Sequence, residues 1–278
     1  MMENNWDNFL KNLGQWEGSF TSVSLEGKLL ESTLSILNLE GFEENKLVKF
    51  RVRRFGPSGY NEPPLKDYCQ EYRTLGKQNI FFQTGAFSKG SLQFAPYSEF
   101  GAEYGFVDQN RRLRFVQLYN DQGILNSLVL IREFRSRSDA KERPPLTVEQ
   151  LLGQWKGTVH KVYSDWQPSE TYSTFLEVKD IGDGRLQQQW SCGEDTMTTT
   201  ARIEGNILYY DEGSIARKIL LLSDGTSSNT PLEIKLRQPF YLELGWMVED
   251  NQHQRLIRSY NDKGAWISAS HVIEHRVC

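Results

Sequence analysis

The stretch LGQWEG at residues 13–18 returns as LGQWKG at residues 152–157. A second landmark, YNDQG at residues 119–123, returns as YNDKG at residues 260–264. The two landmarks recur in the same order after 139 and 141 residues. This period is far longer than the roughly 20–50 residues of a solenoid repeat and is close to one domain of about 100–150 residues. The chain is therefore a tandem duplication of a whole domain.

Further segments of copy one and copy two agree. Residues 91–94 align with 231–234, 103–106 with 243–246, and 131–135 with 272–276, and the stretch NIFF at residues 79–82 resembles NILYY at residues 206–210 after a small slip. The copies differ most at residues 55–75, which are rich in glycine and proline in copy one. Within that stretch, residues 56–64 are either a lid over the first domain or a tolerated insertion.

Length and composition restrict the class of protein. The 278 residues suffice for two domains that each bury a core. A net charge of −4 does not favour nucleic acid as a partner. No apolar run approaches the roughly 18 residues of a membrane span, and the first residues lack the order of a secretory signal. Cys69, Cys192 and Cys278 are far apart and odd in number. We therefore expect a cytoplasmic protein without a membrane span.

The hydrophobic pattern predicts an all-β fold. Residues 48–53, VKFRVR, alternate strictly between apolar and basic side chains, as in a half-buried strand. Residues 113–119 and 255–260 also indicate strands, and each is followed by Asn-Asp-X-Gly, a turn into the next strand. Each copy contains about eight to ten such strands in up-and-down order. A sheet of that size loses its edges best by closing into a barrel.

Helical signal is confined to the start of each copy. Residues 6–13 and residues 147–152 each predict a short helix, the second with Thr147 as N-cap and Gln150 completing a capping box. A polar, charged and proline-containing segment separates the copies. The predicted domains are residues 1–137 for copy one and 147–278 for copy two, joined by a linker at 138–146.

These features carry a resemblance. A short helix, then Gly-X-Trp at the first strand, then a meander that ends in an arginine resembles the lipocalin superfamily, the calycins. The resemblance implies a structural role for Trp16 and Trp155, each packed at the closed end of a barrel, and for Arg135 and Arg276 lying across them. The alternative is that Trp16 and Trp155 line a ligand cavity. The whole chain also resembles a cyanobacterial and plastid family of tandem lipocalin-like barrels, with phycobiliprotein chromophore lyases as more distant relatives.

The basic face of residues 48–53 is the first candidate site. Lys49, Arg51 and Arg53 share one face of this strand. If this face points into the first barrel, Arg51 and Arg53 would bind a carboxylate, because arginine pairs with such groups in a bidentate manner. The alternative places the apolar face inside and the bases in solvent, which is the usual arrangement.

A second candidate site combines aromatic and basic residues near the repeated turns. Tyr119, Trp246, Arg258 and Tyr260 provide the mixture of apolar walls and a few polar groups that is typical of ligand cavities. In the alternative, Tyr119 and Tyr260 anchor the hairpins that follow them. The mixed faces of both strands leave open which side points inward.

Catalytic and metal motifs are missing from the sequence. No nucleophile elbow, phosphate loop, dinucleotide fingerprint or metal-ligand spacing occurs. His271 replaces Leu130 of copy one, and it is either a haem ligand or, more commonly for a lone histidine, a structural residue.

Three hypotheses for the function follow. The first is a non-enzymatic protein that binds a small hydrophobic, acidic ligand, a tetrapyrrole or a fatty-acid-like lipid, in one or both barrels. The second, implied by the resemblance, is a bilin lyase or chaperone-like accessory enzyme with a phycobiliprotein as partner. The third is a pair of filled barrels that acts as a scaffold for other proteins.

Overall fold

The computed structural model describes residues 4–165, 167–210 and 215–277. Each copy begins with a short helix, α1 (Asn5–Leu10) or α2 (Val148–Leu151). The strands of copy one are β1 (Gly14–Val23), β2 (Leu29–Phe42), β3 (Leu47–Arg54), β4 (Lys66–Tyr72), β5 (Asn79–Phe81), β6 (Phe87–Gly90), β7 (Phe100–Asp108), β8 (Arg111–Tyr119) and β9 (Leu125–Arg135). Those of copy two are β10 (Gly153–Tyr163), β11 (Glu170–Gly182), β12 (Arg185–Cys192), β13 (Asp195–Glu204), β14 (Ile207–Tyr210), β15 (Arg217–Leu221), β16 (Thr226–Pro231), β17 (Phe240–Glu249), β18 (Gln252–Tyr260) and β19 (Trp266–Arg276).

The chain divides into two compact units. The first unit consists of Met1–Gly90, Ala102–Gln117 and Ser127–Glu142. The second unit consists of Ser91–Gly101, Leu118–Asn126 and Arg143–Cys278, so it includes two segments of copy one.

Both predicted helices form, and each is fixed by side-chain caps. The Asn4 side chain accepts a hydrogen bond from the Trp6 backbone N–H at 3.1 Å, and α1 ends at Leu10, three residues before the predicted end. Thr147 and Gln150 exchange side-chain and backbone hydrogen bonds at the start of α2, which confirms the predicted capping box. Among the described residues, no helix is long and apolar enough to span a membrane.

The strands form two antiparallel sheets, as the hydrophobic pattern predicts. Strands β10 to β19 follow one another in sequence order, and the pairing of β10 with β19 closes them into a ten-stranded barrel. The nine strands of copy one have the order β4-β3-β2-β1-β9-β8-β7-β6-β5. Within the described residues β4 and β5 are the unpaired ends of this sheet, so the predicted first barrel is open on one side.

The opening of the first sheet has a simple cause, which is one missing strand. Phe87 pairs with both Phe81 and Gly105, just as Ser227 pairs with both Leu221 and Gly245 in copy two. Strand β5 therefore corresponds to β15, and β14 has no counterpart in copy one. The alignment of residues 79–82 with residues 206–210 in the sequence analysis is thus wrong, because it matched β5 to β14.

Side chains of helix α1 form hydrogen bonds with backbone groups of β5, at the edge where the strand is missing. The Asn5 side chain donates to the Asn79 carbonyl at 2.8 Å and accepts from the Phe81 N–H at 2.7 Å. Asn8 donates to the Phe81 carbonyl at 3.1 Å. Strand β4 at the other end is an exposed edge with charged side chains, which discourage pairing with another chain.

The repeated turns form as predicted. The Asn120 side chain accepts hydrogen bonds from the backbone N–H groups two and four residues further on, both at 3.0 Å. Asn261 does the same at 3.0 and 2.9 Å. Gly123 and Gly264 follow with φ of +78° and +76°, a conformation that favours glycine. Each turn therefore delivers the chain into the last strand of its copy.

Each copy has the same tryptophan–arginine stack near its helix. The guanidinium of Arg135 lies 4.3 Å from the centre of the Trp16 ring, and that of Arg276 lies 4.3 Å from the centre of the Trp155 ring. Each indole N–H donates at 3.0 Å to the backbone carbonyl four residues before it. Both tryptophans belong to the hydrophobic core of their copy.

Candidate functional site

A cavity of about 200 Å³ lies in the first unit. Its wall is largely aromatic, with the side chains of Phe9, Phe50, Tyr68, Tyr72, Phe81 and Phe87. These residues come from α1 and from β3, β4, β5 and β6. Because both end strands of the open sheet line the cavity, its mouth lies where copy one is a strand short. Trp16 is not among the lining residues.

Strand β4 supplies a polar rim to the mouth of the cavity. Tyr68, Gln70 and Tyr72 share one face of this strand, since side chains alternate along it. Both tyrosine hydroxyls donate to the Gln70 side-chain oxygen at 3.0 Å. Tyr68 is 54% exposed. Tyr72 is more buried, and this burial raises the pKa of its hydroxyl. From Tyr68 to Tyr72 the rim therefore passes from solvent into the apolar wall.

A buried ion cluster forms the base of the cavity. The two oxygens of Glu133 accept from Arg114 at 2.7 and 3.0 Å and from Arg112 at 2.9 Å. Arg114 also donates to Glu103 at 2.8 Å, and Arg112 donates to the Asn12 side chain at 3.1 Å. Such bidentate, charge-assisted contacts hold the guanidinium groups in fixed positions.

The cluster retains its charges at neutral pH. Burial alone would raise the pKa of Glu133, but the positive charges of Arg114 and Arg112 outweigh it and the pKa lies below its usual value. Burial lowers the pKa of Arg112 to about 10, still well above neutral. For Arg114, burial is outweighed by Glu133 and Glu103, so its pKa is raised.

Copy two contains a related cluster. Glu274 accepts from Arg255 at 2.8 Å and lies 3.1 Å from the His253 ring nitrogen Nδ1, and Arg255 also contacts Glu243 at 3.3 Å. Neither cluster was predicted from the sequence, although all four positions recur after 140 or 141 residues. Charged residues at inward positions of the aligned strands were the available signal.

Arg51 and Arg53 face away from the cavity. The carboxylate of Asp67 accepts from Arg51 at 2.6 and 2.9 Å, and the Asn38 side chain accepts from Arg53 at 3.1 Å. The apolar residues of the same strand pack on the core, with Val48 fully buried and Phe50 in the cavity wall. Of the two arrangements that the sequence leaves open, the structure has the apolar face inside.

The basic residue on the inner face of β3 is Arg54, which was not predicted as a site residue from the sequence. It follows Phe50 and Val52 on the inner face by simple alternation. Its guanidinium lies 4.8 Å from the centre of the Phe20 ring, and that of Arg114 lies 5.3 Å from the same ring. Continuing the alternating pattern one residue beyond Arg53 would have identified it.

Trp246, Arg258 and Tyr260 lie on the outer face of the second barrel. Met247 belongs to the interior core with Trp155, so its neighbour Trp246 points outward. Arg258 and Tyr260 are on that same face, because they pair with residues 242 and 240 of β17. These residues therefore do not line the barrel interior.

Tyr119, Arg258 and Tyr260 have protein partners for their polar groups. Tyr260 stacks on Phe240 with ring centres 4.8 Å apart and donates to the Ser91 carbonyl at 2.9 Å. Arg258 donates to the Tyr260 hydroxyl at 2.9 Å, and Tyr119 donates to the Pro231 carbonyl at 2.8 Å. The Trp246 N–H donates elsewhere, to the Asp224 carbonyl at 2.9 Å. The residues predicted to bind a ligand thus do not converge on one cavity.

His271 is buried in the second unit. It lies 2.9 Å from the Gln254 side-chain oxygen, and burial together with nearby His160 lowers its pKa to about 3. Within the described residues, no group of three or more His, Cys, Asp and Glu side chains could hold a metal ion.

The neutral burial of His271 predicts a pH-dependent stability. Between about pH 3 and 6.5 the unfolded chain binds a proton that the folded chain does not, so stability falls as the pH falls. We expect the free energy of unfolding to drop by about 2 kcal/mol from pH 7 to pH 5 through this residue. Urea denaturation at both pH values measures it. In His271→Leu, which carries the residue of copy one, this part of the drop should vanish; an unchanged drop would refute the assignment.

The geometry defines a duplicated antiparallel β protein with one closed barrel and one open, cavity-bearing sheet. Comparison with known proteins places it in a family. A crystal structure of a protein of unknown function from the DUF3598 family of Nostoc punctiforme is 45% identical to the chain, with a TM-score of 0.93. The match covers 99% of this chain and 100% of that one. The chain belongs to the DUF3598 family.

Two family profiles match the two copies. The profile "Domain of unknown function (DUF3598), N-terminal" matches residues 2–138. The profile "Biogenesis factor required for ATP synthase 1, C-terminal domain" matches residues 142–277. The S-type phycobiliprotein lyase CPES from Guillardia theta is 12% identical with a TM-score of 0.35, over 47% of this chain and 90% of that one. No curated protein matches the chain.

Proposed function

We propose that the first unit binds a small amphipathic molecule, with its apolar body in the aromatic cavity and an acidic group held by the neighbouring bases. The observation that carries this proposal is the cavity itself, an aromatic-walled space that ends on a buried pair of arginines. Clefts of this kind, mostly apolar with a few fixed polar groups, are the usual form of small-molecule sites. The proposal concerns binding alone.

The size of the cavity restricts the ligand. Its volume of about 200 Å³ is below the roughly 300–1,000 Å³ of typical sites for drug-sized molecules. An alkyl chain or a single ring therefore suits the cavity, whereas a four-ring tetrapyrrole would extend through the mouth between β4 and β5. This favours a fatty-acid-like ligand over a tetrapyrrole.

The charge of the wall favours an anion. Lys89, Arg112 and Arg114 line the cavity together with one carboxylate, Glu103. Glu133 behind the wall supplies a second carboxylate, so one positive charge is left over. Lys89 is exposed and has no ion-pair partner among the described residues.

Titration with octanoate and octan-1-ol tests the proposal, because the two molecules share a chain and differ in charge. We expect both to bind the full-length protein, with octanoate the tighter. Lys89→Gln should weaken octanoate by roughly 2–5-fold, the size of an exposed charge interaction, and leave octan-1-ol unchanged. Lys49→Gln, on the outer face of β3, is the matched control and should change neither.

A variant at the mouth tests the location of the apolar body. Gln70→Trp places an indole at the cavity rim on an exposed strand, and we expect it to weaken octanoate and octan-1-ol alike. Glu71→Trp places the same side chain on the opposite face and should have no effect. Calorimetry measures all affinities. If the unsubstituted protein binds neither molecule, the proposed function is wrong.

A second candidate is an accessory role in assembling a protein complex. It is supported by the match of copy two to a domain of a biogenesis factor required for ATP synthase. Tagged protein purified from its own cells should then retain subunits of such a complex, and their absence would count against this candidate. The bilin lyase of the sequence analysis stays a hypothesis, which transfer of a bilin to a phycobiliprotein acceptor would test.

A further inference from the structure

Arg54 occupies an unusual position inside the first unit. It is the last residue of β3, on the inner face and half-buried, two residues after Val52. Val52 pairs with Tyr68, which stands at the cavity mouth. Arg54 and Arg114 both lie against the Phe20 ring, at 4.8 and 5.3 Å from its centre. Arg114 also lines the cavity, so the Phe20 ring connects Arg54 to a residue of the cavity wall.

Arg54 contacts the Phe20 ring but pairs with no carboxylate of the described residues. Its Nε atom is buried without a hydrogen-bond partner, and its guanidinium has no ion pair among the described residues. Three other arginines of this unit have carboxylate partners, since Arg112 and Arg114 pair with Glu133 and Arg51 pairs with Asp67. Arg53 shares the unpartnered Nε but lies on the outer face and donates to the Asn38 side chain. A half-buried guanidinium that no carboxylate of the described residues neutralises is suited to pairing with an anion from outside.

We propose that Arg54 binds the carboxylate of the ligand whose apolar body fills the cavity. This inference rests on the proposed function and names its anion subsite. Arg54 supplies the N–H donors, whereas Arg114 is held by Glu133 and Glu103 and contributes its position and charge. The ligand class is an amphipathic monocarboxylate with a narrow apolar chain or a single ring.

Copy two lacks the two residues that form this subsite in copy one. Phe20 and Arg54 correspond, through the registers of the first three strands of each copy, to Val159 and Cys192 of copy two. Neither residue can bind an anion in the same way, since one is apolar and the other has no positive charge. The two copies therefore differ in function at the inner face of their third strand.

Arg54→Gln tests the subsite, with Arg53→Gln as a matched control on the outer face of the same strand. We expect Arg54→Gln in the full-length protein to weaken octanoate by roughly 10–100-fold, the effect of losing a charge-assisted hydrogen bond. Its affinity for octan-1-ol should stay as it was, which also shows that the variant is folded. Arg53→Gln should bind both molecules like the unsubstituted protein.

The outcomes separate this inference from the proposed function. If the unsubstituted protein binds both molecules and Arg54→Gln binds octanoate equally well, the anion subsite is wrong and the cavity proposal stands. If the unsubstituted protein binds neither molecule, the cavity proposal itself fails. Equal losses of octanoate and octan-1-ol in Arg54→Gln would also overturn the subsite, because they indicate a change of shape and not of charge.

Discussion

Glu133→Gln is expected to lower the free energy of unfolding by about 3–5 kcal/mol. Glu133 is almost completely buried and is the shared partner of Arg112 and Arg114. The neutral amide keeps the shape but leaves two buried guanidinium groups with a single carboxylate, Glu103, on one of them. Removing one partner of a buried ion pair is strongly destabilising for this reason. Urea denaturation followed by tryptophan fluorescence measures the loss.

The control for Glu133→Gln is a carboxylate in an exposed pair. Glu71 lies 3.3 Å from Lys49, and both side chains are more than half exposed. Glu71→Gln should cost less than about 1 kcal/mol, as exposed ion pairs do. Amide hydrogen exchange should locate the loss caused by Glu133→Gln in the first unit. A cost below 1 kcal/mol for Glu133→Gln would show that the cluster is solvated and would contradict the description of the cavity base.

Trp16→Ala and Trp155→Ala are each expected to cost about 3–5 kcal/mol, since both side chains are buried and alanine leaves a large void. Each variant also removes the ring that faces Arg135 or Arg276 at 4.3 Å. The measurement is the shift of the urea midpoint at constant slope. Trp16→Ala tests the structural role that the lipocalin resemblance implies for the first tryptophan, and Trp155→Ala tests it for the second.

Tyr97→Ala controls for the loss of an aromatic side chain. Tyr97 is 91% exposed, so the variant should change the free energy of unfolding by no more than about 0.5 kcal/mol. The alternative role for the tryptophans, as walls of a ligand cavity, makes a different prediction. In that case Trp16→Phe would change the affinity for octan-1-ol while leaving stability nearly intact, and our account would have to be revised.

The sequence predicts the architecture well because its strongest signals are local and repeated. The two Asn-Asp-X-Gly turns are determined by an asparagine side chain that bonds its own backbone and by a glycine at positive φ, and both form as expected. The capping box of Thr147 and Gln150 is likewise a local arrangement. Alternation along residues 48–53 identifies a strand whatever its neighbours are.

The opening of the first sheet depends on register, which the sequence does not display. Residues 79–82 and 206–210 look alike because both begin with asparagine and isoleucine. The pairing of Phe87 with Phe81 and Gly105, and of Ser227 with Leu221 and Gly245, shows that β14 is the strand absent from copy one. Aligning the sequences of the two copies therefore does not reveal the open edge, or the cavity that lies there.

The residues predicted from the sequence to bind a ligand are not the residues that line the cavity. An arginine near an aromatic wall was expected, yet Arg51 lies on the outer face and pairs with Asp67. Arg258 lies on the outer face of the second barrel, where it bonds Tyr260. The inward arginines, Arg54, Arg112 and Arg114, follow from alternation once one inward residue of each strand is known. That knowledge comes from packing, since charged residues on an inner face resemble solvent-facing ones in sequence.

Anomalous diffraction from crystals grown with 8-bromooctanoate tests the central claim most directly, because bromine marks the end of the alkyl chain. We expect one bromine peak inside the first unit, among Phe9, Phe50 and Phe81, with the carboxylate of the same molecule at Arg54. Loss of the ordered carboxylate in Arg54→Gln, with the bromine still in place, would agree with the anion subsite. Bromine found only outside this cavity, at concentrations where octanoate binds in solution, would contradict the account.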